Sequence, residues 1–315
     1  MEFISPANIY KFFISRFITH KPFILTHFIT YKCNLKCDKC NSNKDYLPEN
    51  ELKTGEVIKI LDDAKKSGFF IYHICGGEPL LREDISEILI HAKNKGFVTY
   101  MNTNGTFLKE KIEQISPHLD FCSVSIDGSE NTHDRLRGCK GAYKKTIEGI
   151  KKAKKLGLKM KIISTLEQAN VNEIEELSEL SKKLNMPIIF QIKSCIREEF
   201  TNKEYGKILE RFLELRKKGY MINFPLNENS KNCNYPKVFV RVDPYGNVSG
   251  CKFFREKGLS VINLKTDSFS KILNSPRYLK LLNESSKCTK QCKLSCVSAA
   301  NGIYSLNFLK ILKNV

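Results

Sequence analysis

Three cysteines, Cys33, Cys37 and Cys40, fall within a span of eight residues directly after the β-rich run Leu25–Thr30. In an α/β sheet, ligands sit at the carboxyl ends of the strands, so a loop in this place is where chemistry belongs. Three thiolates at this spacing can wrap one corner of a metal cluster. Iron–sulfur clusters are normally held by four Cys thiolates, and no fourth cysteine lies nearby in the sequence. A three-ligand cluster leaves one iron open to a small molecule, by the logic that separates an open catalytic zinc from a closed structural one. Zinc is the alternative occupant, although zinc motifs more often use paired CxxC or Cys/His sets. A second group, Cys233, Cys251, Cys288, Cys292 and Cys296, lies in the last quarter of the chain. Its last three members share one face if they stand on a helix, or wrap a cluster if they stand on a loop. Four thiolates suit a structural zinc here too. Cys75, Cys122, Cys139 and Cys195 read as structural, since a free cysteine is commonly a small core residue.

The elements that position these cysteines follow from hydrophobic periodicity. Six β-rich runs, Leu25–Thr30, Phe69–Cys75, Phe97–Asn102, Phe121–Ile126, Leu158–Thr165 and Pro187–Lys193, alternate with helical stretches. The helices are expected near Thr54–Ser67, Glu83–Lys95, Lys109–Ile115, Tyr143–Leu156 and Asn172–Leu184. Gly68, Gly96 and Gly157 follow Lys-rich last turns, which suits helix C-termini. Such alternation implies a parallel sheet with right-handed crossovers. Periodicity alone fits both a partial eight-fold barrel and an open doubly wound sheet. A further helix fits Lys203–Lys218. The pattern then changes: Lys237–Val242 and Val248–Phe254 flank the turn Pro244–Asn247 as a hairpin, and a helix fits Phe269–Leu282. These divide the chain into an amphipathic segment (1–24), a core (25–222) and a small Cys-rich domain (223–315).

The chain has 315 residues and 12 cysteines, with Lys plus Arg 52 against Asp plus Glu 34, a formal charge of +18. Its cysteine content is far below the roughly 8–10% of a disulfide scaffold, and its apolar content of 41% excludes a disordered chain. No secretory signal or membrane-spanning stretch is expected. The expected location is therefore a reducing cytoplasm, where thiols bind metal or catalyse. Near the N-terminus, Ile9, Phe12, Phe13 and Phe17 recur at helical spacing. A helix capping the core is the first reading, and peripheral contact with an anionic membrane the second. The positive charge is spread along helices such as Lys144–Lys155 and Lys207–Lys218. It is compatible with an anionic substrate, an acidic lipid surface or RNA, and there is no clear nucleic-acid motif.

With its companion motifs, the cysteine loop resembles that of the radical S-adenosylmethionine (SAM) superfamily. Thr30–Cys40 is similar to the cluster-binding loop, Gly76-Gly77-Glu78-Pro79 to the GGEP motif, Val124–Gly128 to the fourth-strand segment and His133–Gly138 to the loop after it. The resemblance spans about Leu25–Lys193 and implies a partial (β/α)6 TIM-like barrel. It further implies a 4Fe–4S cluster on Cys33, Cys37 and Cys40, with SAM chelating the fourth iron. Reductive cleavage of SAM would give a 5′-deoxyadenosyl radical that abstracts hydrogen from a substrate. Gly76, Gly77 and Glu78 would meet the methionine moiety, Asn102, Ser125 and Asp127 the ribose region, and Arg137 the SAM carboxylate. Asn104 is a further candidate beside Asn102. Turn stabilisation is the plain alternative for Asn104-Gly105 and Asp127-Gly128. Lys39 stands where the superfamily often has an aromatic residue against the adenine.

The C-terminal region resembles a SPASM/twitch extension, a small α+β domain that carries auxiliary 4Fe–4S clusters. Five cysteines suit one such cluster, held by Cys233, Cys251 and two or three of Cys288, Cys292 and Cys296. The implied function is oxidative radical chemistry on a small metabolite, a lipid or isoprenoid, or a peptide, with a flavodoxin- or ferredoxin-type electron donor. The alternative is a non-catalytic iron–sulfur or zinc protein, basic and RNA-binding.

Overall fold

The computed structural model describes residues 10, 12–19, 21–37, 40, 46–192, 200–223, 234–249 and 261–286. Cys195 and the cysteines at 233, 251, 288, 292 and 296 lie outside the described residues, as do Ile9 and Lys39.

One sheet organises these residues. Its strands are β1 (Ile24–Thr30), β2 (Ile71–Gly76), β3 (Val98–Thr103), β4 (Phe121–Ser125), β5 (Lys159–Leu166), β6 (Ile188–Ile192), β7 (Ile222–Asn223), β8 (Phe239–Val242), β9 (Asn247–Ser249) and β10 (Val261–Asn263). The first seven lie side by side in chain order, all parallel. β8 adds in parallel to the free edge of β1, and β9 and β10 follow it antiparallel. A doubly wound sheet reverses its strand order at a switch point. Here the order never reverses between β1 and β7, so every crossover turns the same way and the helices pack on one face. This is the partial barrel, and it resolves the choice that periodicity left open.

The burial pattern records the same asymmetry. In β3 and β8, buried and half-buried residues alternate strictly. The buried set, such as Tyr72, Ile74, Met101, Val124, Ile162 and Phe190, joins the core under the helices. The other set faces the inside of the barrel. The helix Thr54–Lys66 shows why these segments fold as they do. Val57, Ile60, Leu61 and Ala64 form one buried stripe, and Lys65 and Lys66 fill the last turn. It stops at Gly68, whose φ of 98° few other residues adopt.

Two elements differ from expectation. The helix expected over Phe269–Leu282 is two, Phe269–Leu273 and Pro276–Ser286, because a proline has no amide proton and starts a helix rather than continuing one. The segment taken as a loop after β4 is instead a helix, Glu130–Arg137. It lacks an apolar stripe, and polar contacts hold it. Asp134 accepts from the backbone amides of Gly141 and Tyr143, while Glu173 accepts from the Ser129 amide and the Thr132 hydroxyl. At the N-terminus, Phe12 is buried edge-on against Phe23, which stacks on Phe70 at 5.1 Å. Tyr10, Phe13 and Ile18 stay exposed. No helix among the described residues is long and apolar enough to cross a membrane.

Three buried histidines make the fold acid-sensitive. Burial lowers His27 to about 3, and lowers His73 and His133 to about 4, each from 6.5. The unfolded chain takes up these protons near pH 6.5 while the folded chain does not. Stability is therefore full above that pH and falls as pH falls toward 4. His27 lies against Tyr72 on the helix side of β1, away from the cysteines. Urea unfolding at about pH 7 and about pH 5 should show His27→Gln losing about 2 kcal/mol less than wild type over that interval. An equal loss in both proteins would contradict the assignment.

Candidate active site

The cysteine loop leaves the end of β1 between two anchors. Glu51 accepts hydrogen bonds from the Thr30 hydroxyl (2.8 Å) and the Tyr31 amide (2.9 Å). Arg82, ion-paired with Asp84 at 2.6 Å, donates to the carbonyls of Ile29 and Leu52. Tyr31 is buried, packed near Phe28 and edge-on to Tyr245.

Gly76 and Gly77 press directly on this loop. The Gly77 amide donates to the Thr30 carbonyl at 2.7 Å, and the Glu78 amide to the Lys32 carbonyl at 2.8 Å. A Cβ on Gly76 would overlap the Thr30 carbonyl oxygen, and one on Gly77 the Lys32 carbonyl oxygen. In the structure, then, the close approach that these glycines permit is to the cysteine loop itself. The loop is also held from the opposite side. Gly138 ends the helix Glu130–Arg137 in the left-handed region, and a Cβ there would overlap the Lys36 carbonyl.

Glu78 is fully buried, and both its oxygens are used. Oε1 accepts from the Thr103 hydroxyl (2.7 Å) and the Leu80 amide (3.1 Å), and Oε2 from the Asn104 amide (2.7 Å). Burial raises its pKa, and these three donors oppose the rise. The carboxylate thus ties the end of β2 to the end of β3. It also fixes Asn104, whose side-chain amide donates to Asn34 Oδ1 at 3.0 Å and reaches Cys33 Sγ at 3.9 Å. Asn104 therefore bears on the first cysteine, and its neighbour Thr106 receives the Asn34 amide.

Asp127 and Arg137 pair with each other at 2.6 Å, both largely buried. Asp127 Oδ1 also accepts from the Thr165 amide, and its own amide donates to His133 Nδ1. His133 and Arg137 stand four residues apart and so share one helix face, a spacing visible in the sequence but not read there. Asn170, also missed, donates to the carbonyls of Asp127 and Thr165. Arg137 is next to Cys37: the Cys37 thiol donates to its carbonyl at 3.8 Å, and the guanidinium opposes the upward shift that burial gives the thiol. Burial pushes Cys33 up to about 11. Ser125 is half-buried at the end of β4, and Asn102 faces the barrel interior with its side chain against the His73 imidazole.

The donor set fits an iron–sulfur cluster. Cys33, Cys37 and Cys40 are thiols outside any disulfide on one loop, the first two half-buried and the third exposed. Thiolates are the donors that such a cluster takes, each at a separate iron.

Comparison with known proteins agrees. The radical SAM superfamily model matches residues 28–181, and a model described as an iron–sulfur cluster-binding domain matches residues 233–297, which include all five C-terminal cysteines. An Fe-coproporphyrin III synthase of Methanosarcina barkeri is 28% identical over 239 residues, 70% of this chain and 59% of that protein. An AdoMet-dependent heme synthase of the same organism is 32% identical over 210 residues, 64% of this chain and 60% of that protein. The chain thus spans about three-fifths of the length of these curated relatives. Among solved structures, Streptococcus suis SuiB bound to S-adenosylmethionine superposes with a TM-score of 0.71 at 18% identity, covering 92% of this chain and 74% of SuiB. The protein anSMEcpe with bound AdoMet superposes with a TM-score of 0.70 at 14% identity, covering 93% and 96%.

The glycine contacts yield a direct test. Gly77→Ala should displace the loop at Lys32 and lose most of the iron bound at the triad, about four atoms per chain for one cluster. Gly55→Ala, where a Cβ meets nothing within 4 Å, should keep full iron content. Equal iron in both variants, by chemical iron analysis, would show that the contact does not position the loop.

Proposed function

Because this chain belongs to the radical SAM superfamily and carries an iron–sulfur cluster-binding domain after the barrel, we propose that it is an oxidative radical SAM enzyme acting on a small molecule. When bound, the cluster and SAM supply reductive cleavage to a 5′-deoxyadenosyl radical, which removes a hydrogen atom from substrate. The observation that carries this reading is the trio of cysteine thiols on one loop, gripped by glycine backbone at the carboxyl end of a singly wound barrel.

The chain's own residues then take distinct roles. Cys33, Cys37 and Cys40 hold the cluster. Asn104 directs an amide at Cys33, and such hydrogen bonds to cluster sulfur tune reduction potential. Glu78 positions Asn104 and the Gly76-Gly77 backbone, and Asp127 neutralises Arg137 beside Cys37. Ser125 and Asn102 line the barrel next to the strand ends, where they support SAM or substrate. In the C-terminal region, Cys233, Cys251 and two or three of Cys288, Cys292 and Cys296 would hold one auxiliary 4Fe–4S cluster, which would supply an acceptor for the electron left on the substrate, while a flavodoxin or ferredoxin would supply the reducing electron. The relatives named as heme and coproporphyrin synthases support a small-molecule substrate, because their identity to this chain exceeds that of the peptide-binding SuiB.

Anaerobic protein with iron, dithionite and SAM should release 5′-deoxyadenosine. The triple variant Cys33→Ala/Cys37→Ala/Cys40→Ala should release none while keeping about four irons on the auxiliary site. Zinc in place of iron, with no nucleoside released by wild type, would refute the enzyme reading in favour of a structural metal protein.

A further inference from the structure

Charge inside the barrel is one-sided. None of the ten strands contains Asp or Glu, and their only Lys or Arg residues are Lys159, Lys161 and Arg241. Lys159 is exposed at the start of β5. Lys161 and Arg241 are half-buried and alternate with the helix-facing Ile162, Val240 and Val242, which places them on the concave face. Both lie over aromatic rings there. Lys161 Nζ is 4.8 Å from the Tyr100 ring centre, and the Arg241 guanidinium carbon is 3.7 Å from that of Phe28. Neither has a carboxylate partner among the described residues, and Arg241 Nε is buried without any hydrogen bond.

Between them stands His73. In register, Arg241 is beside Thr26, Thr26 beside His73, and His73 beside Tyr100. Thr26 Oγ1 is 3.3 Å from His73 Nδ1, and the imidazole stacks on Tyr100 at 4.6 Å. The Thr26 hydroxyl lies beside Nδ1, and the Asn102 side chain faces the ring as a second hydrogen-bond partner. Tyr100 in turn bonds Ser123. The row is a continuous polar belt, flanked by two cations, with Arg241 Nε an unused donor.

Partly desolvated cations are costly without a counter-charge, and buried polar atoms normally find a partner. An anion between Lys161 and Arg241 would meet both needs. We propose that this belt binds an anionic group of the substrate, a carboxylate or phosphate, gripped by Lys161 and Arg241. The assignment rests on the radical SAM reading of the site. It also sets the substrate's orientation. Thr26 lies four residues below Thr30, or about 13 Å at 3.3 Å per residue. The charged end therefore points down the barrel and the reacting carbon toward the cysteine loop.

The test uses full-length, cluster-loaded protein saturated with SAM, kept anaerobic. Calorimetry measures binding of glutarate, inorganic pyrophosphate and the neutral glutaramide. Wild type should bind at least one anion more tightly than glutaramide, and the preferred anion tells carboxylate from phosphate. Lys161→Met and Arg241→Met should each weaken that binding about tenfold, the loss of one charge-assisted hydrogen bond. Lys161→Arg should retain it, which separates charge from packing. Anions binding no better than glutaramide, unchanged binding in both Met variants, or displacement of the anion by SAM would each overturn the proposal. Release of 5′-deoxyadenosine by wild type tests the underlying reading separately, so the two can fail independently.

Discussion

Backbone contact between the cysteine loop and three glycines is the constraint on which the rest of the site depends. Gly76 and Gly77 come from the end of β2, and Gly138 from the end of the helix Glu130–Arg137. They meet the carbonyls of Thr30, Lys32 and Lys36 from two sides, with no room for a side chain at any of the three. A loop with free thiols has many conformations, and holding it by side chains would retain much of that freedom. Carbonyl oxygens packed against glycine leave little space to move. Thr30, Lys32 and Lys36 are therefore held in place by the fold itself.

The polar residues of the site extend this grip. Glu78 satisfies three donors at once, so its burial is offset by hydrogen bonds rather than by a cation alone. Its effect passes through Asn104 to Cys33. The Asp127–Arg137 pair does the same for Cys37 from the far side of the loop. Removing either partner would strand the other as a buried charge, the costly way to break an ion pair. Each of the two inner cysteines is thus next to a polar residue that is itself held by a carboxylate.

Much of this could be read in the sequence, and the misses have physical reasons. The six barrel strands were visible as apolar runs, three of them starting directly after the lysine-rich helix ends at Gly68, Gly96 and Gly157. Strand order was not, since the addition of β8 to β1 joins residues more than two hundred positions apart. The helix Glu130–Arg137 escaped because its buried residues are Thr132 and His133, not an apolar stripe. Asn104 looked like half of an Asn-Gly turn, and it is one. Its second role depends on Glu78, which no local pattern reveals. The break at Pro276 was legible in the sequence, but the apolar spacing on either side masked it.

The hairpin of the C-terminal region is joined to the cysteine loop and not merely appended. The Leu52 amide donates to the Pro244 carbonyl at 2.7 Å, next to the Glu51 that anchors Thr30 and Tyr31. Tyr245, in the same turn, packs edge-on to Tyr31 and accepts from the Leu47 amide at 2.8 Å. β8 itself carries Arg241 onto the inner face beside β1. One short hairpin therefore touches the start of the cysteine loop, closes the edge of the barrel and supplies half of the cationic belt. A change that loosened β8 from β1 would disturb all three together. The part of the chain that carries the second cysteine set is thus tied mechanically to the first.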